Sequence, residues 1–357
     1  MKKFIIFLFL FVLIGCGAVV GGYFYLITAP SNEKETVNIY IDEGSSYSTI
    51  GKLLKDNGLI RNELAYKVYL KLNPVNDSLE YGDYIIGKDN SIEELIEVLK
   101  KGSITLATTK KVTFVEGKNM RYIIKQITEN FDIKEEEITS LLKDENYLNS
   151  LIKDYWFLTD DIKNKDIYYS LEGYLYPDTY EFYTNATVKN IFAKLLDNME
   201  DKLDKYKEEI EKSKYSVHEM MTLASIIELE AGNASDRKGV AGVFYNRLND
   251  GWSLGSDVTT YYAEKIDNWS RDLKKSELSS CNSYNTRSTC MAGKLPVSPI
   301  CNPGLESIIA SIEPTEHDYY YFVADKNGKT YFNETDSGHV KTVNQLKRDG
   351  LWIEYES

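Results

Sequence analysis

Histidine is nearly missing from this chain: three occur in 357 residues, and His218, His317 and His339 form no H-E-x-x-H motif or other metal-binding spacing. Cysteine is almost as scarce, at four, with no paired C-x-x-C, which argues against zinc. There is no G-x-S-x-G serine elbow, and the glycine-rich pieces carry no phosphate-loop pattern. The residues therefore call for no metal and no cofactor. Positive charge is in deficit as well. Lys and Arg number 42 against 55 Asp and Glu, and a net charge of −13 does not suit a nucleic-acid partner, which needs a basic surface. What remains is an ordinary folded composition, 43% hydrophobic and 27% charged, long enough for two or three domains. Tyrosine is abundant, at 28; it suits sugar-binding surfaces, strands and cores alike, so the count alone decides little.

Charge is also missing from one long stretch. After Lys2 and Lys3, no charged residue occurs from Phe4 until Glu33. As a helix, Phe4 to Ile27 would extend about 36 Å, enough for a hydrocarbon core of ~30 Å. The expectation is a single uncleaved transmembrane helix in the bacterial cell membrane, with the basic end in the cytoplasm and everything after Ser31 outside. A rival reading takes "LIGC", Leu13 to Cys16, as a lipoprotein cleavage box with a lipid on Cys16. Both place the body of the protein outside, where an oxidising setting permits a disulfide. Cys281–Cys290 or Cys290–Cys301 would close a short loop, and one thiol is left over.

Past a linker at 30–35 comes a weak internal repeat. "VNIYIDEGSSYSTIGKLL" from Val37 and "KVTFVEGKNMRYIIKQI" from Lys111 each read as an alternating strand, a Glu-Gly turn and an amphipathic helix. Aligned on Glu43 and Glu116, Ile50 matches Ile123 and Leu54 matches Ile127, an i, i+4 spacing in both copies. The arrangement resembles a LysM module, a small peptidoglycan-binding fold, though any βα unit would give the same pattern. "YGDYII" reads as a strand, and "SIEELIEVLKKG" as a helix opened by a Ser91–Glu94 capping box and closed by Gly102. "SLEGYLYPDTYEF", Ser170 to Phe182, marks a junction. The charged stretch 190–212 reads as helix with a solvated face, and "YYYFVADKNGKTYF" as a hairpin about Asn327-Gly328. The division expected is 1–35 tip, anchor and linker, 36–110 LysM-like, 111–182 second βα unit and junction, and 183–357 catalytic domain.

The chemistry centres on "LASIIELEA", residues 223 to 231. Ser216 and Glu219 form a capping box, so a helix begins at Val217 and cannot run well beyond Gly232. It is apolar on nearly every face, hence buried. Glu228 lies in its last turns, where desolvation and the helix dipole both disfavour a negative charge. That setting suits a general acid. Glu230, two residues on, points to the opposite side and reads as a solvent-reaching residue at a frayed helix end. Downstream, "SYNTRS" and "LPVSPICNPGLESIIASIEP" supply Asn, Thr and Tyr that suit sugar hydroxyls, or simply turns.

"EGYLYPDTY", "ASIIELE", "ASDRKGVAGVFYNRL", "LGSDVTTYYA", "SYNT", "PICNPGLESIIASIEP" and "YYYFVAD", in this order, resemble the endolytic murein transglycosylase, or YceG-like, family over nearly the whole chain. The resemblance implies an α+β fold: a membrane helix, LysM-like βα subdomains and an α+β catalytic domain. It implies a lytic transglycosylase whose partner is peptidoglycan, cut within glycan strands without water to leave 1,6-anhydromuramyl ends, working alongside peptidoglycan synthases. Its acid/base is the first glutamate of E-x-E, here Glu228, and Asn246, Asp257, Thr259, Tyr284, Asn285 and Thr286 would line the cleft. The family often has Pro where Val258 stands, and "GKLPVSP" replaces a Gly-Leu-Pro-Pro-Gly run. Two alternatives stay open: a muramidase-type hydrolase using Glu228 with Asp257, and a non-enzymatic wall-binding anchor.

Overall fold

The computed structural model describes residues 20–352 together with 15 and 17, except 33, 76, 104–108 and 270. The chain divides into two compact units, Met1–Thr109 and Lys110–Ser357. The first contains β1 (Thr36–Ile41), α1 (Gly51–Asp56), α2 (Glu63–Leu72), β2 (Gly82–Gly87) and α3 (Ile92–Lys100). β1 and β2 pair antiparallel, from Thr36 opposite Gly87 to Ile41 opposite Gly82. Strand alternation turns Ile39, Ile41, Tyr84 and Ile86 to one side, where they pack with Leu54 of α1 and the Ile92, Leu95, Ile96 and Leu99 stripe of α3. The Ser91–Glu94 capping box that opens α3 is formed in both directions.

No helix among the described residues is long and apolar enough to cross a membrane. This corrects the transmembrane helix expected over Phe4–Ile27. Residues 15, 17 and 20–26 are helical. At the end of this stretch, Arg61 lies 4.5 Å over the Tyr25 ring and donates to the Ala29 carbonyl at 2.6 Å, while Ile92 N donates to the Ile27 carbonyl. These contacts tie the end of the apolar run to the first folded unit. Residues 1–14, 16, 18 and 19, with the rest of that expected helix and Cys16, lie outside the described residues.

The second unit begins with β3 (Thr109–Thr113), α4 (Met120–Asn130), α5 (Glu135–Leu141), α6 (Glu145–Asp154) and β4 (Thr179–Tyr183), β3 pairing with β4. The internal repeat extends further than its sequence signal. In both copies a left-handed glycine, Gly44 at φ 81° and Gly117 at φ 72°, makes the Glu-Gly turn. In both, the second strand returns to pair with the first and leads into a capped helix. In the second copy that helix is α7 (Val188–Leu203), opened by a Thr187–Asn190 box. A short α8 (Lys207–Lys212) follows.

Then come α9 (Val217–Glu230), α10 (Arg237–Asn249), α11 (Asp257–Ala263), α12 (Lys275–Ser279), α13 (Leu305–Ile312), a hairpin of β5 (Tyr321–Ala324) and β6 (Thr330–Asn333), and α14 (Asp336–Arg348). The hairpin turns at Gly328, φ 80°. α9 is apolar all round because two cores share it. Met220, Met221 and Ala224 belong to one that runs from Val112 to Ile308. Leu223, Ile226 and Ile227 belong to another, with Val240, Phe244 and Ala310. The described residues are thus α+β.

Candidate active site

The Ser216–Glu219 box opens α9 as the sequence predicts, and the last turn of this 14-residue helix delivers Glu228 to the floor of a cleft. The side chain is only 7% exposed. Its Oε2 accepts from the Gly304 N–H at 3.1 Å and the Ser307 hydroxyl at 2.7 Å, and its Oε1 from Arg237 Nη2 at 3.2 Å. Gly304 is the N-cap of α13, Ser307 lies in that helix's first turn, and Arg237 opens α10. The C-terminal end of α9 is therefore met by the positive N-terminus of a second helix. Read alone, α9 presents a setting hostile to an anion; the assembled site is one of donors. Glu230 does not reach solvent at a frayed end: it is half-buried and accepts from Ser256 Oγ at 2.5 Å, and burial raises its pKa.

The cleft measures about 620 Å³. One wall is the second Glu-Gly turn and the start of α4, with Glu116, Lys118, Asn119 and Arg121; the other holds Val258, Tyr262, Asp267 and Trp269. Arg121 clamps Asp267 with two bonds of 2.8 and 2.6 Å and holds its carboxyl below the usual range. Trp269, 43% exposed, stacks on Tyr261 and presents an aromatic face among polar groups, as a sugar ring requires. No group of three or more His, Cys, Asp or Glu able to hold a metal ion occurs among the described residues.

Beneath the floor, Glu172 is 1% exposed. It accepts from Met120 N, the Tyr262 hydroxyl and Asn302 Nδ2, yet burial pushes its pKa up to about 7. A carboxyl that ionises less readily when folded makes the native state bind more protons than the unfolded chain. Stability should therefore fall as pH rises from 4.5 to about 7, by up to about 3 kcal/mol. Urea unfolding between pH 5 and 8 should show this slope, and Glu172→Gln should flatten it.

The six residues expected along the cleft take other positions. Asn246 donates to the carbonyls of His317 and Tyr319, at 2.7 and 2.9 Å. Asp257 pairs with Arg287 at 3.0 Å. Thr259, Tyr284, Asn285 and Thr286 are fully buried. Thr259 bonds Thr286 and the Ser256 carbonyl, Tyr284 bonds Ser298, and Asn285 donates to the carbonyls of Glu277, Leu278 and Ser280. Thr259 of α11 is bonded to the 284–286 loop, a polar knot whose hydrogen-bonding groups are spent on protein and none of them on Glu228.

The sequence matches the YceG-like family over residues 39–345. The chain belongs to that family. An endolytic murein transglycosylase of Bacillus subtilis (strain 168) is 35% identical over 327 residues, 91% of this chain and 89% of that protein. One of Streptococcus pneumoniae serotype 2 is 32% identical over 347 residues, 90% of this chain and 62% of the relative. The crystal structure of a yceG-like protein from Listeria monocytogenes matches with a TM-score of 0.60 at 34% identity, over 87% of this chain and 100% of that one.

In this YceG-like chain the loop carrying the polar knot is closed by a disulfide between Cys281 and Cys290, and Cys301 is a buried free thiol. With a sequence separation of nine, replacing both bridged cysteines by serine should destabilise by roughly 2–3 kcal/mol. A lower urea midpoint at unchanged slope would record it. Gly304, Ser307, Arg237 and Glu116 are not singled out as site residues by the sequence. "NPGLES" carried a usable signal: it starts a helix with a bare N-terminus, a natural seat for a carboxylate.

Proposed function

We propose that this chain is a peptidoglycan lytic transglycosylase that cuts glycan strands internally, between N-acetylmuramic acid and N-acetylglucosamine, and leaves 1,6-anhydromuramyl ends. It is an enzyme in this reading, in keeping with relatives named endolytic murein transglycosylases. The observation that carries the proposal is Glu228, nearly enclosed at the floor of a cleft with an exposed aromatic wall, its carboxyl oriented by three donors. Glu228 gives its proton to the glycosidic oxygen as the C1–O bond breaks. As a carboxylate it then takes the proton of the muramyl C6 hydroxyl while that oxygen bonds C1. The acid is regenerated and no water enters, so one carboxyl serves both steps.

Hydrolysis through Glu228 and Asp257 finds less support, because Asp257 is tied to Arg287 and is not part of the cleft wall. Action outside the cytoplasm is part of the proposal; the substrate lies there, and a disulfide suits that setting. The first unit, with its order strand, helix, helix, strand, is read as a LysM-like wall-binding module. A peptidoglycan synthase as working partner rests on the family resemblance alone. Mass spectrometry of peptidoglycan digested by the protein tests the reaction. Internal fragments with 1,6-anhydromuramyl ends are expected, and reducing ends would overturn it in favour of hydrolysis.

A further inference from the structure

Glu116 is a second carboxyl of the same cleft, placed by the backbone that carries it. It stands on the Glu-Gly turn of the second repeat copy, before Gly117 at φ 72°. That turn is laced on both sides: Phe114 N donates to the Asp178 carbonyl, Gly117 N to the Asn302 carbonyl, and Asn302 N to the Lys118 carbonyl, each at 2.9 Å. The Glu116 carboxyl consequently lies over Gly304. A Cβ on Gly304 would fall 2.4 Å from its Cδ and within 2.6 Å of both oxygens, so the carboxyl lies directly against this glycine and would have to move to admit a side chain there. The N–H of that same Gly304 donates to Glu228. One glycine thus separates two carboxyls. Glu116 is exposed and, among the described residues, makes no hydrogen bond or ion pair. Burial and then the Glu228 charge raise its pKa, against the pull of Arg237.

This juxtaposition bears on a difficulty in the reaction proposed above. Arg237, Gly304 and Ser307 all donate to Glu228 and suit a carboxylate, whereas a general acid must hold a proton. A like charge beside it opposes ionisation of both groups. The other charged or titratable groups facing the pair are Asp178, Glu306 and the Tyr176 phenol toward Glu116, and the Cys301 thiol behind Glu228. We propose that Glu116 is a positioning residue of this active site, whose charge across Gly304 sets the pH range in which Glu228 holds its proton for the glycan.

The inference rests on Glu228 being the acid, and its test separates the two claims. Wild type, Glu116→Gln, Glu116→Asp and Glu228→Gln would be compared for anhydromuramyl product formation from pH 5 to 9, with melting curves for each. Glu116→Gln should move the alkaline limb of kcat about one unit toward acid, with KM nearly unchanged, and Glu116→Asp should restore it. An unmoved profile in Glu116→Gln, whether at full rate or uniformly lowered, overturns this inference while an inactive Glu228→Gln leaves the earlier reading standing. If Glu116→Gln does not fold, Glu116→Asp decides: an alkaline limb displaced from wild type by more than about half a unit, or a uniform loss of rate, overturns it. Anhydro product formed by Glu228→Gln within tenfold of the wild-type rate would overturn both.

Discussion

Replacing Glu228 by glutamine should lower the rate of glycan cleavage roughly a thousandfold, the scale of a positioned general acid that also returns as base. Glutamine preserves the shape, and its carbonyl oxygen can still accept from Gly304 and Ser307, so the floor of the cleft should persist. The amide nitrogen would face Arg237, donor against donor, and cost about 1–2 kcal/mol of stability. The two effects are separable. Melting curves should shift by a few degrees, whereas anhydromuramyl ends should vanish from the digest. A variant within tenfold of the parent rate would remove Glu228 from its proposed role.

The second large effect should come from Asn302→Ala, and it should be on folding. Asn302 is 1% exposed, and its side chain joins segments distant in sequence. Its Oδ1 accepts from Gly173 N and Leu175 N at 3.1 and 3.0 Å, and its Nδ2 donates to the Lys118 carbonyl and to Glu172. Alanine would leave two buried N–H groups without an acceptor and take a donor from a buried carboxyl. At about 1–3 kcal/mol for each stranded group, the loss is on the order of 4 kcal/mol, or about 10 °C for a unit of this size. Urea titration gives the number directly. A loss under 1 kcal/mol would mean that water or a small shift replaces these bonds, and that Asn302 is not the tie between the Glu-Gly turn and the floor.

Local signals carried much of this structure. The capping boxes at Ser91 and Ser216, the Asn327-Gly328 hairpin and the repeat on Glu43 and Glu116 are short-range patterns, and chain geometry honours them. Glu228 was legible because a charged residue in an apolar helix is conspicuous within one turn. Its donors were not. Arg237 is nine residues away, and Gly304 and Ser307 are 76 and 79 away, so no periodicity connects them. Residue type is ambiguous at the polar loop. Asn285 and Thr286 have the groups that bind sugars, but the same groups bind backbone carbonyls, and composition cannot tell which partner is nearer. The apolar N-terminal run misled similarly: hydropathy alone did not foresee Arg61 over Tyr25.

The duplicated turn also separates two kinds of constraint that a single copy would confound. Gly44 and Gly117 are both held by the left-handed backbone, which no neighbour has to enforce. Their surroundings are not equivalent. Nothing lies within 4 Å of a Cβ built on Gly44, whereas one on Gly117 would touch Leu229 at 3.4 Å and Glu228 at 3.6 Å. The chain thus holds its own internal control. One acidic turn stands clear of neighbours, and its twin stands against the floor of the cleft.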